Sequence, residues 1–479
     1  MKFRSIFIFF VAITLFSCSS GNDKQKNVAD EIKDTIIQKE NFVRKDFFGE
    51  RGKVVEHITC KSDDSQSYAM YLPSTYSVEK TFPLVIAFDP HGTGKLPVSM
   101  YTELSEKYGY IIVGSNNSKN GQTWKETKSI SETLLNDVTI RLSVNMDRIY
   151  LLGFSGGARV ANTLTMTNGA IAGVICCGAA TPIAEIATPR NNYSFLGLIG
   201  NEDFNYTEMR KYDLVDIAGH NIKHSLITFD GKHEWPAKEI MEEAYWWLEL
   251  NQMRKKSAIK NDTLLAKRFQ PVVRQIETYQ ENKQLFETYQ LCRKTIAFYD
   301  GLVDLSYCFS TFKSLQANAE VDKALKSEGM IWTKEENLKI YYYNGFQKEN
   351  YSWWAKEISS LNQNIKTEKN KELVLLYKRI LNYLSLAAYM QVSGNLQQKN
   401  IVASDYYCKL YTLIDPENSE AYYLTAELNA IKGKSVEAIN SLNTAIKKGF
   451  SDKSRLQSDS VFNKIRNAKE FENIFSKIK

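Results

Sequence analysis

The chain is poor in the residues that would hold a metal ion or attract a polyanion. It has five histidines and seven cysteines among 479 residues, with no CxxC pair, so we expect no zinc or other metal site and no bound cofactor. Lys and Arg number 61 against 55 Asp and Glu, a net charge of +6 that is mixed along the chain. Such a small and evenly distributed excess excludes nucleic acid as an expected partner.

The N-terminus has the form of a secretory signal. Lys2 and Arg4 precede an apolar run of roughly a dozen residues, which is too short to span a membrane comfortably. The run ends in "LFSC", which resembles a bacterial lipobox and implies that residues 1–17 are removed and that Cys18 is acylated. A lipid on Cys18 would anchor the protein to a membrane without a spanning helix.

The residues after Cys18 predict a tether and a cellular location. Residues 18–50 are polar and mixed in charge, as is typical of a linker. Ser19 stands where bacterial lipoproteins retained in the inner membrane carry aspartate. The resemblance therefore implies a lipid-anchored protein of the bacterial cell envelope, at the outer membrane.

Residues 51–254 alternate short apolar runs with helical patterns. This alternation predicts an α/β domain with a doubly wound, mostly parallel sheet covered by helices on both faces. Runs such as "PLVIAFDPHG" are almost continuously apolar, as expected for a strand buried on both sides. The strand "AGVICCGAA" places Cys176 and Cys177 in a buried setting, where cysteine acts as a small apolar side chain.

Residues 255–479 lack strand signals and have helical periodicity, which predicts an all-α helical-repeat domain. Residues 415–450 resemble one tetratricopeptide repeat, and we expect repeat-like helices over 385–479. The resemblance places Gly433 at the turn between two helices. It places three small residues where those helices pack, namely Ala426, Ala438 and Ala445. Such a domain is either a packing partner or a docking surface for a protein or peptide.

The stretch "LLGFSGGARV" places Ser155 between glycines where a strand turns into a helix. A G-x-S-x-G string is weak by itself, but the strand before it and the helix after it favour a nucleophile held on a sharp turn. The small residues Gly153 and Gly157 would leave room for the crowded turn. The helix N-terminus behind Ser155 would favour developing negative charge.

A serine nucleophile needs a histidine as its base. Only His233, in "HSLITFDGKHEWP", follows the last predicted strand, where the base is expected in this type of sheet. His220 and His224 precede that strand or begin it, and His57 lies in an early strand.

The acid that orients the histidine should lie between Ser155 and His233 in the chain. Asp203 follows the buried strand "YSFLGLIG" by three residues and is the predicted acid, with Glu202 as the alternative. Asp203 could instead cap the helix that follows.

Two backbone N–H groups are expected to bind the oxyanion. One is that of Gly156, directly after the serine. The second comes from "FDPHGTG": an ungapped alignment with the usual His-Gly pair gives His91, which we favour, and an alignment that takes His91-Gly92 as that pair gives Thr93. Pro90 has no N–H to donate.

Three segments together, "DRIYLLGFSGGARVANTL", "GNED" and "GKHEWP", resemble α/β-hydrolase esterases. The nearest group contains polyhydroxybutyrate depolymerases, feruloyl esterases and acetyl-xylan esterases. The resemblance covers less than half of the chain and departs from the family at "FDPHGTG". It implies ester hydrolysis through an acyl-enzyme on Ser155.

Substrate signals are few. Asn116 and Trp124, in "SNNSKNGQTW", follow a strand at the expected edge of the site and are predicted to line a pocket, where the indole would stack on a sugar or an aromatic acyl group. The predicted function is hydrolysis of carboxylic esters, including acyl groups on polysaccharide. A serine peptidase of the same fold and a non-catalytic docking lipoprotein are the alternatives.

Overall fold

The computed structural model describes residues 50–256 and 259–478. The predicted signal at 1–17, Cys18 and the tether up to residue 49 lie outside the described residues. Within the described part of the chain, no helix has the length and apolar character needed to cross a bilayer.

An eight-stranded sheet organises the first part of the chain, as predicted. Its spatial order is β1-β2-β4-β3-β5-β6-β7-β8. Strand β2 is antiparallel to both of its neighbours, and the strands from β4 to β8 are parallel. The strands are β1 (Val54–Thr59), β2 (Ser67–Tyr71), β3 (Phe82–Phe88), β4 (Ile111–Ser115), β5 (Val144–Phe154), β6 (Gly173–Cys177), β7 (Ser194–Gly200) and β8 (Lys223–Phe229).

Burial explains why the central strands are continuous apolar runs. Every residue of β3, β6 and β7 is buried, so both faces of the sheet are covered there. The covering and connecting helices of this region are α1 (Lys95–Met100), α2 (Thr102–Tyr108), α3 (Trp124–Arg141), α4 (Gly156–Thr167), α5 (Tyr206–Lys211) and α6 (Lys238–Met253).

A capping box begins helix α3. Thr123 accepts a hydrogen bond from the Glu126 N–H, and the Glu126 carboxylate accepts one from the Thr123 N–H, which is a capping box. The cap makes Trp124 the first residue of the helix.

The rest of the described chain is helical, as predicted. Asparagine N-caps begin several of these helices, among them those after Asn261, Asn350, Asn370, Asn400 and Asn418. The helices are α7 (Asp262–Glu281), α8 (Leu285–Tyr299), α9 (Ser306–Gln316), α10 (Ala319–Lys348), α11 (Tyr351–Thr367), α12 (Lys371–Gln397), α13 (Ile401–Ile414), α14 (Ser419–Ile431), α15 (Ser435–Lys447), α16 (Lys453–Ser458) and α17 (Lys469–Lys477).

Packing divides the described residues into two compact units. The first contains the described residues up to Gly200 together with Glu208–Asp322, and the second contains Asn201–Thr207 together with the residues from Lys323 onwards. Helices α7 to α9 belong to the first unit because their apolar side chains, such as Leu265 and Phe298, join the core under the sheet. This differs from the sequence-based boundary at residue 254.

The helix pair α14 and α15 has the bounds expected of the predicted tetratricopeptide-like unit. Gly433 has a φ of 72° in the turn between the two helices, a conformation that glycine adopts without strain. Ala426, Ala438 and Ala445 are fully buried, which lets the two helices approach closely.

Candidate active site

Ser155 has a backbone conformation that few residues other than glycine adopt. It lies between β5 and α4 with a φ of 52° and a ψ of −120°. Such strain costs about 1–3 kcal/mol and persists only where the surroundings fix it. The Ser155 N–H donates to the Cys177 carbonyl at 2.8 Å, and the Ser155 carbonyl accepts from the Ala158 N–H at 3.0 Å. The turn is therefore held on both sides.

Two glycines allow this turn to lie against its neighbours. A Cβ at Gly153 would fall 2.2 Å from the Gly157 carbonyl oxygen, and one at Gly157 would fall 2.1 Å from the Phe88 carbonyl oxygen. Both contacts are with backbone and cannot be relieved by a side-chain movement. The small residues predicted around Ser155 are thus required by the crossing of α4 over β3 and β5.

His233 lies beside the serine hydroxyl. Its Nε2 is 2.8 Å from Ser155 Oγ, a hydrogen-bond distance. The ring packs on Phe154, with centroids 4.6 Å apart, and Trp235 packs on the same phenyl ring at 5.4 Å. A serine and a histidine that are 78 positions apart in the chain therefore meet with the geometry that a nucleophile and its base require.

Asp203, the predicted acid, is 1% exposed and lies in the segment Asn201–Thr207. Its Oδ1 accepts from the Asn205 N–H at 2.8 Å, and its carbonyl accepts from the Tyr206 N–H at 2.9 Å. Glu202, the alternative, forms an ion pair with Lys378 at 2.7 Å. The role of Asp203 in orienting the histidine stays a prediction.

The loop after β3 carries both candidates for the second oxyanion donor. The His91 N–H donates to Asp89 Oδ1 at 2.9 Å, and the Thr93 N–H points at the same oxygen at 3.4 Å. The Gly92 N–H donates to the Asp89 carbonyl at 3.1 Å. The N–H groups of both candidates, His91 and Thr93, are thus directed at the Asp89 carboxylate, and their role as second oxyanion donor stays a prediction.

Asp89 also ties this loop to the histidine loop. Its Oδ2 accepts from the Trp235 indole N–H at 3.0 Å, and the side chain is 2% exposed. Burial by itself would raise the pKa of the Asp89 carboxyl, but hydrogen bonds from His91 and Trp235 outweigh it and leave the pKa below its ordinary value. The ionised carboxylate therefore holds the loop after β3 and the loop after β8 together.

Asn120 is a residue of the site that the sequence analysis missed. Its N–H donates to the Pro90 carbonyl at 2.8 Å, which fixes its loop to the loop after β3. Its side chain lies against Gly156: a Cβ at Gly156 would fall 1.9 Å from Asn120 Oδ1 and 3.3 Å from Nδ2. An amide side chain therefore stands next to the residue whose N–H is the first predicted oxyanion donor.

The predicted substrate-binding residues have structural contacts. Asn116 Nδ2 donates to the Glu56 carbonyl at 3.1 Å and to Ser67 Oγ at 3.2 Å, so this amide joins its loop to β1 and β2. Trp124 is half-buried at the start of α3. Their contact with substrate stays a prediction.

His224 and His57, which the sequence did not favour as the base, have other surroundings. His224 Nδ1 is 2.9 Å from Asp213 Oδ1, and Arg293 contacts the other oxygen of this carboxylate. His57 is exposed on β1. Of the histidines that the structure describes, His233 is the one whose ring lies within hydrogen-bond distance of Ser155 Oγ.

All six cysteines in the described residues are buried and unpaired with one another. Burial raises the pKa of Cys60 to about 11 and those of Cys292 and Cys408 to about 12. Burial also raises the pKa of Cys176 and Cys177. These thiols are protonated at neutral pH, which disfavours a role as nucleophile.

No protein-family model matches the chain, and no curated protein is significantly similar to it. Solved structures that it resembles include a hyperthermophilic esterase from Pyrobaculum calidifontis, with 11% identity over 43% of this chain and 85% of that chain and a TM-score of 0.32. Esterase B from Lactobacillus rhamnosis has 13% identity over 47% of this chain and 97% of that chain, with a TM-score of 0.34. A ferulic acid esterase has 17% identity over 40% of this chain and 94% of that chain, with a TM-score of 0.31.

The first unit has the strand order of the α/β-hydrolase fold, with the serine directly after the fifth strand.

Proposed function

We propose that the protein is a serine esterase that hydrolyses carboxylic esters through an acyl-enzyme. The observation that carries the proposal is the 2.8 Å contact between His233 Nε2 and the hydroxyl of Ser155, a residue with a strained positive φ at a strand-to-helix turn. A structural serine needs neither the strain nor the base. A nucleophile needs both, because a serine hydroxyl is weak at neutral pH.

In the first half-reaction, Ser155 Oγ attacks the ester carbonyl carbon while His233 Nε2 takes the hydroxyl proton. The carbonyl electron pair moves to oxygen, and the N–H of Gly156 at the start of α4 stabilises that oxyanion. The bond to the alcohol oxygen then breaks, and Nε2 returns the proton to the leaving alkoxide. An acyl group is left on Ser155.

Water repeats the sequence in the second half-reaction. His233 Nε2 takes a proton from water as the water oxygen attacks the acyl carbon. The bond to Ser155 Oγ breaks, the proton returns to that oxygen, and the carboxylic acid leaves. Asp203 is the proposed acid that holds the imidazole in the tautomer that both steps need.

We add the Asn120 side chain, through its Nδ2, as a proposed second oxyanion donor beside His91 and Thr93, because the N–H groups of those two residues point at Asp89. We expect Asn120→Ala to lower kcat by about 10²-fold with little change in KM, since an oxyanion donor acts mainly in the transition state. Initial rates on a p-nitrophenyl ester measure this.

Lys119→Ala is the matched control, because Lys119 is the exposed neighbour of Asn120 in the same loop. It should keep the wild-type rate. An Asn120→Ala enzyme with unchanged kcat would show that the second donor lies elsewhere.

The sequence supports more specific proposals about the location, substrate and partner of the protein. The lipobox-like N-terminus supports a lipid anchor on Cys18 and a place at the outer membrane of a bacterial cell envelope. We propose acylated carbohydrate of the envelope as the substrate, with Asn116 and Trp124 in contact with it, and the repeat-like helices of the second unit as a surface for a protein or peptide partner.

The deciding experiment is a pair of measurements on the intact protein. Short p-nitrophenyl esters should be turned over, and a fluorophosphonate probe should label Ser155, as located by mass spectrometry of the digested protein. Cleavage of proline-containing peptides with no ester turnover would favour the peptidase. Neither turnover nor labelling would favour a docking protein built on an inactive hydrolase fold.

A further inference from the structure

The segment that carries Asp203 is held by helices of the second unit. Asn201–Thr207 follows β7 in the chain, yet it packs with the residues from Lys323 onwards. Three main-chain carbonyls on the two sides of Asp203 accept side-chain hydrogen bonds from α10 and α12. These bonds are Arg379 Nη1 to Asn201 O at 2.9 Å, Asn382 Nδ2 to Glu202 O at 2.8 Å and Lys339 Nζ to Phe204 O at 2.6 Å.

One buried carboxylate fixes two of these donors. Glu335 is 0% exposed; its Oε2 accepts from Arg379 Nε at 2.8 Å and its Oε1 accepts from Lys339 Nζ at 2.8 Å. The Arg379 guanidinium also lies over the Tyr206 ring, 4.5 Å from its centroid. The carboxylate therefore orients the Arg379 guanidinium and the Lys339 ammonium group. Each of these groups has a further N–H that donates to a carbonyl of the segment.

Buried ions are a costly way to stabilise helix packing, because apolar side chains of similar volume often do as well or better. Here the charges of Arg379, Lys339 and Glu335 are arranged so that their remaining donors reach the carbonyls of one short segment. The contacts bracket Asp203 from Asn201 to Phe204, so they fix the main chain before and after it. These hydrogen bonds to the main chain on both sides of Asp203 are better suited to placing the Asp203 side chain than to packing the helices.

We infer that the Glu335–Arg379–Lys339 network is the device that positions the catalytic acid, and that Arg379 is a positioning residue for the esterase reaction. This inference rests on the proposed function and on Asp203 as the acid in it. A catalytic group that moves by about 1 Å can lose about 10² in rate. The segment that carries Asp203 is thus held in place by side chains of its own unit.

Arg379→Met tests the inference. It keeps the length and apolar character of the side chain but removes the bonds to Asn201 O and Glu335. We expect kcat on a p-nitrophenyl ester to fall by about 10- to 100-fold, with KM changed by less than about twofold. Asn382→Ala removes a single bond to the same segment without touching a buried ion, and we expect a fall of about three- to tenfold.

Arg455→Met is the matched control. Arg455 is also an ion-paired arginine of the second unit that lies over a tyrosine, with its guanidinium 4.0 Å from the Tyr423 ring centroid and its Nη1 2.8 Å from Glu420 Oε1. Its bonds are with α14, and we expect kcat to change by less than about twofold.

A double-mutant cycle separates positioning from general loss of structure. In an Asp203→Asn background the acid no longer acts, so Arg379→Met or Asn382→Ala should change the remaining rate by less than about twofold. A purely structural effect would appear at full size in both backgrounds. The rate of fluorophosphonate labelling of Ser155 is a second readout for these slow variants.

The outcomes distinguish the two proposals. Suppose that the wild type turns over esters and is labelled at Ser155. The positioning role is then wrong, and the esterase proposal stands, if Arg379→Met and Asn382→Ala keep the wild-type kcat. The same conclusion follows if these substitutions lower kcat as much in the Asp203→Asn background as in the wild type. If Arg379→Met does not fold, Asn382→Ala decides alone. A wild type that neither turns over esters nor labels overturns both.

Discussion

Ser155→Ala is expected to lower kcat/KM for p-nitrophenyl esters by about 10⁴-fold or more, because it removes the proposed nucleophile. The fold should not suffer. Alanine keeps the backbone N–H that donates to the Cys177 carbonyl and the carbonyl that accepts from the Ala158 N–H. The substitution removes the hydroxyl and with it the contact to His233 Nε2.

Ser131→Ala is the matched control for this variant. It removes a hydroxyl that donates to the Thr127 carbonyl at 2.8 Å within helix α3, where alanine fits well. It should keep both turnover and labelling. Thermal unfolding and circular dichroism of the Ser155→Ala protein should match the wild type, and retained turnover by this variant would rule out Ser155 as the nucleophile.

Asp203→Asn is expected to lower kcat by about 10⁴-fold, the second largest effect. An amide at this position can favour the wrong imidazole tautomer and cannot stabilise the imidazolium. Asparagine keeps an acceptor for the Asn205 N–H, so the turn that Asp203 begins should survive. Thermal unfolding should confirm that the fold is kept.

Glu202→Gln distinguishes the two candidate acids. Glu202 forms an ion pair with Lys378, whose side chain is 38% exposed, and such partly exposed pairs contribute little to stability. We expect kcat to stay within about threefold of the wild type, the size of one weak interaction. If Glu202→Gln lowered kcat strongly and Asp203→Asn kept it close to the wild-type value, Glu202 and not Asp203 would be the acid.

The sheet and the Ser155–His233 pair could be predicted because local signals determine them. Runs such as "FPLVIAF" in β3 are apolar because both faces of the strand are buried. The glycines around Ser155 are dictated by contacts within a few residues of it and with the adjacent strand. His233 followed from chain order alone, since it is the only histidine after the last strand.

Long-range side-chain contacts could not be predicted. Nothing in "FDPHGTG" shows that the Asp89 carboxylate turns back to engage His91 and Thr93, because that depends on how the loop folds. The periodicity of α7 gives its apolar face but not the partner of that face, which is the core under the sheet. The hydrogen bond from Arg379 to Asn201 joins positions 178 residues apart and leaves no sequence pattern.

The buried thiols offer a built-in reporter of local opening. Cys176 and Cys177 lie in the central strand β6, whereas Cys292 and Cys308 lie in helices α8 and α9. A maleimide reagent can reach each pair only when the surrounding structure opens, so the labelling rate at each site measures the free energy of that opening. Comparison of the two pairs would tell whether the helices detach before the sheet unfolds.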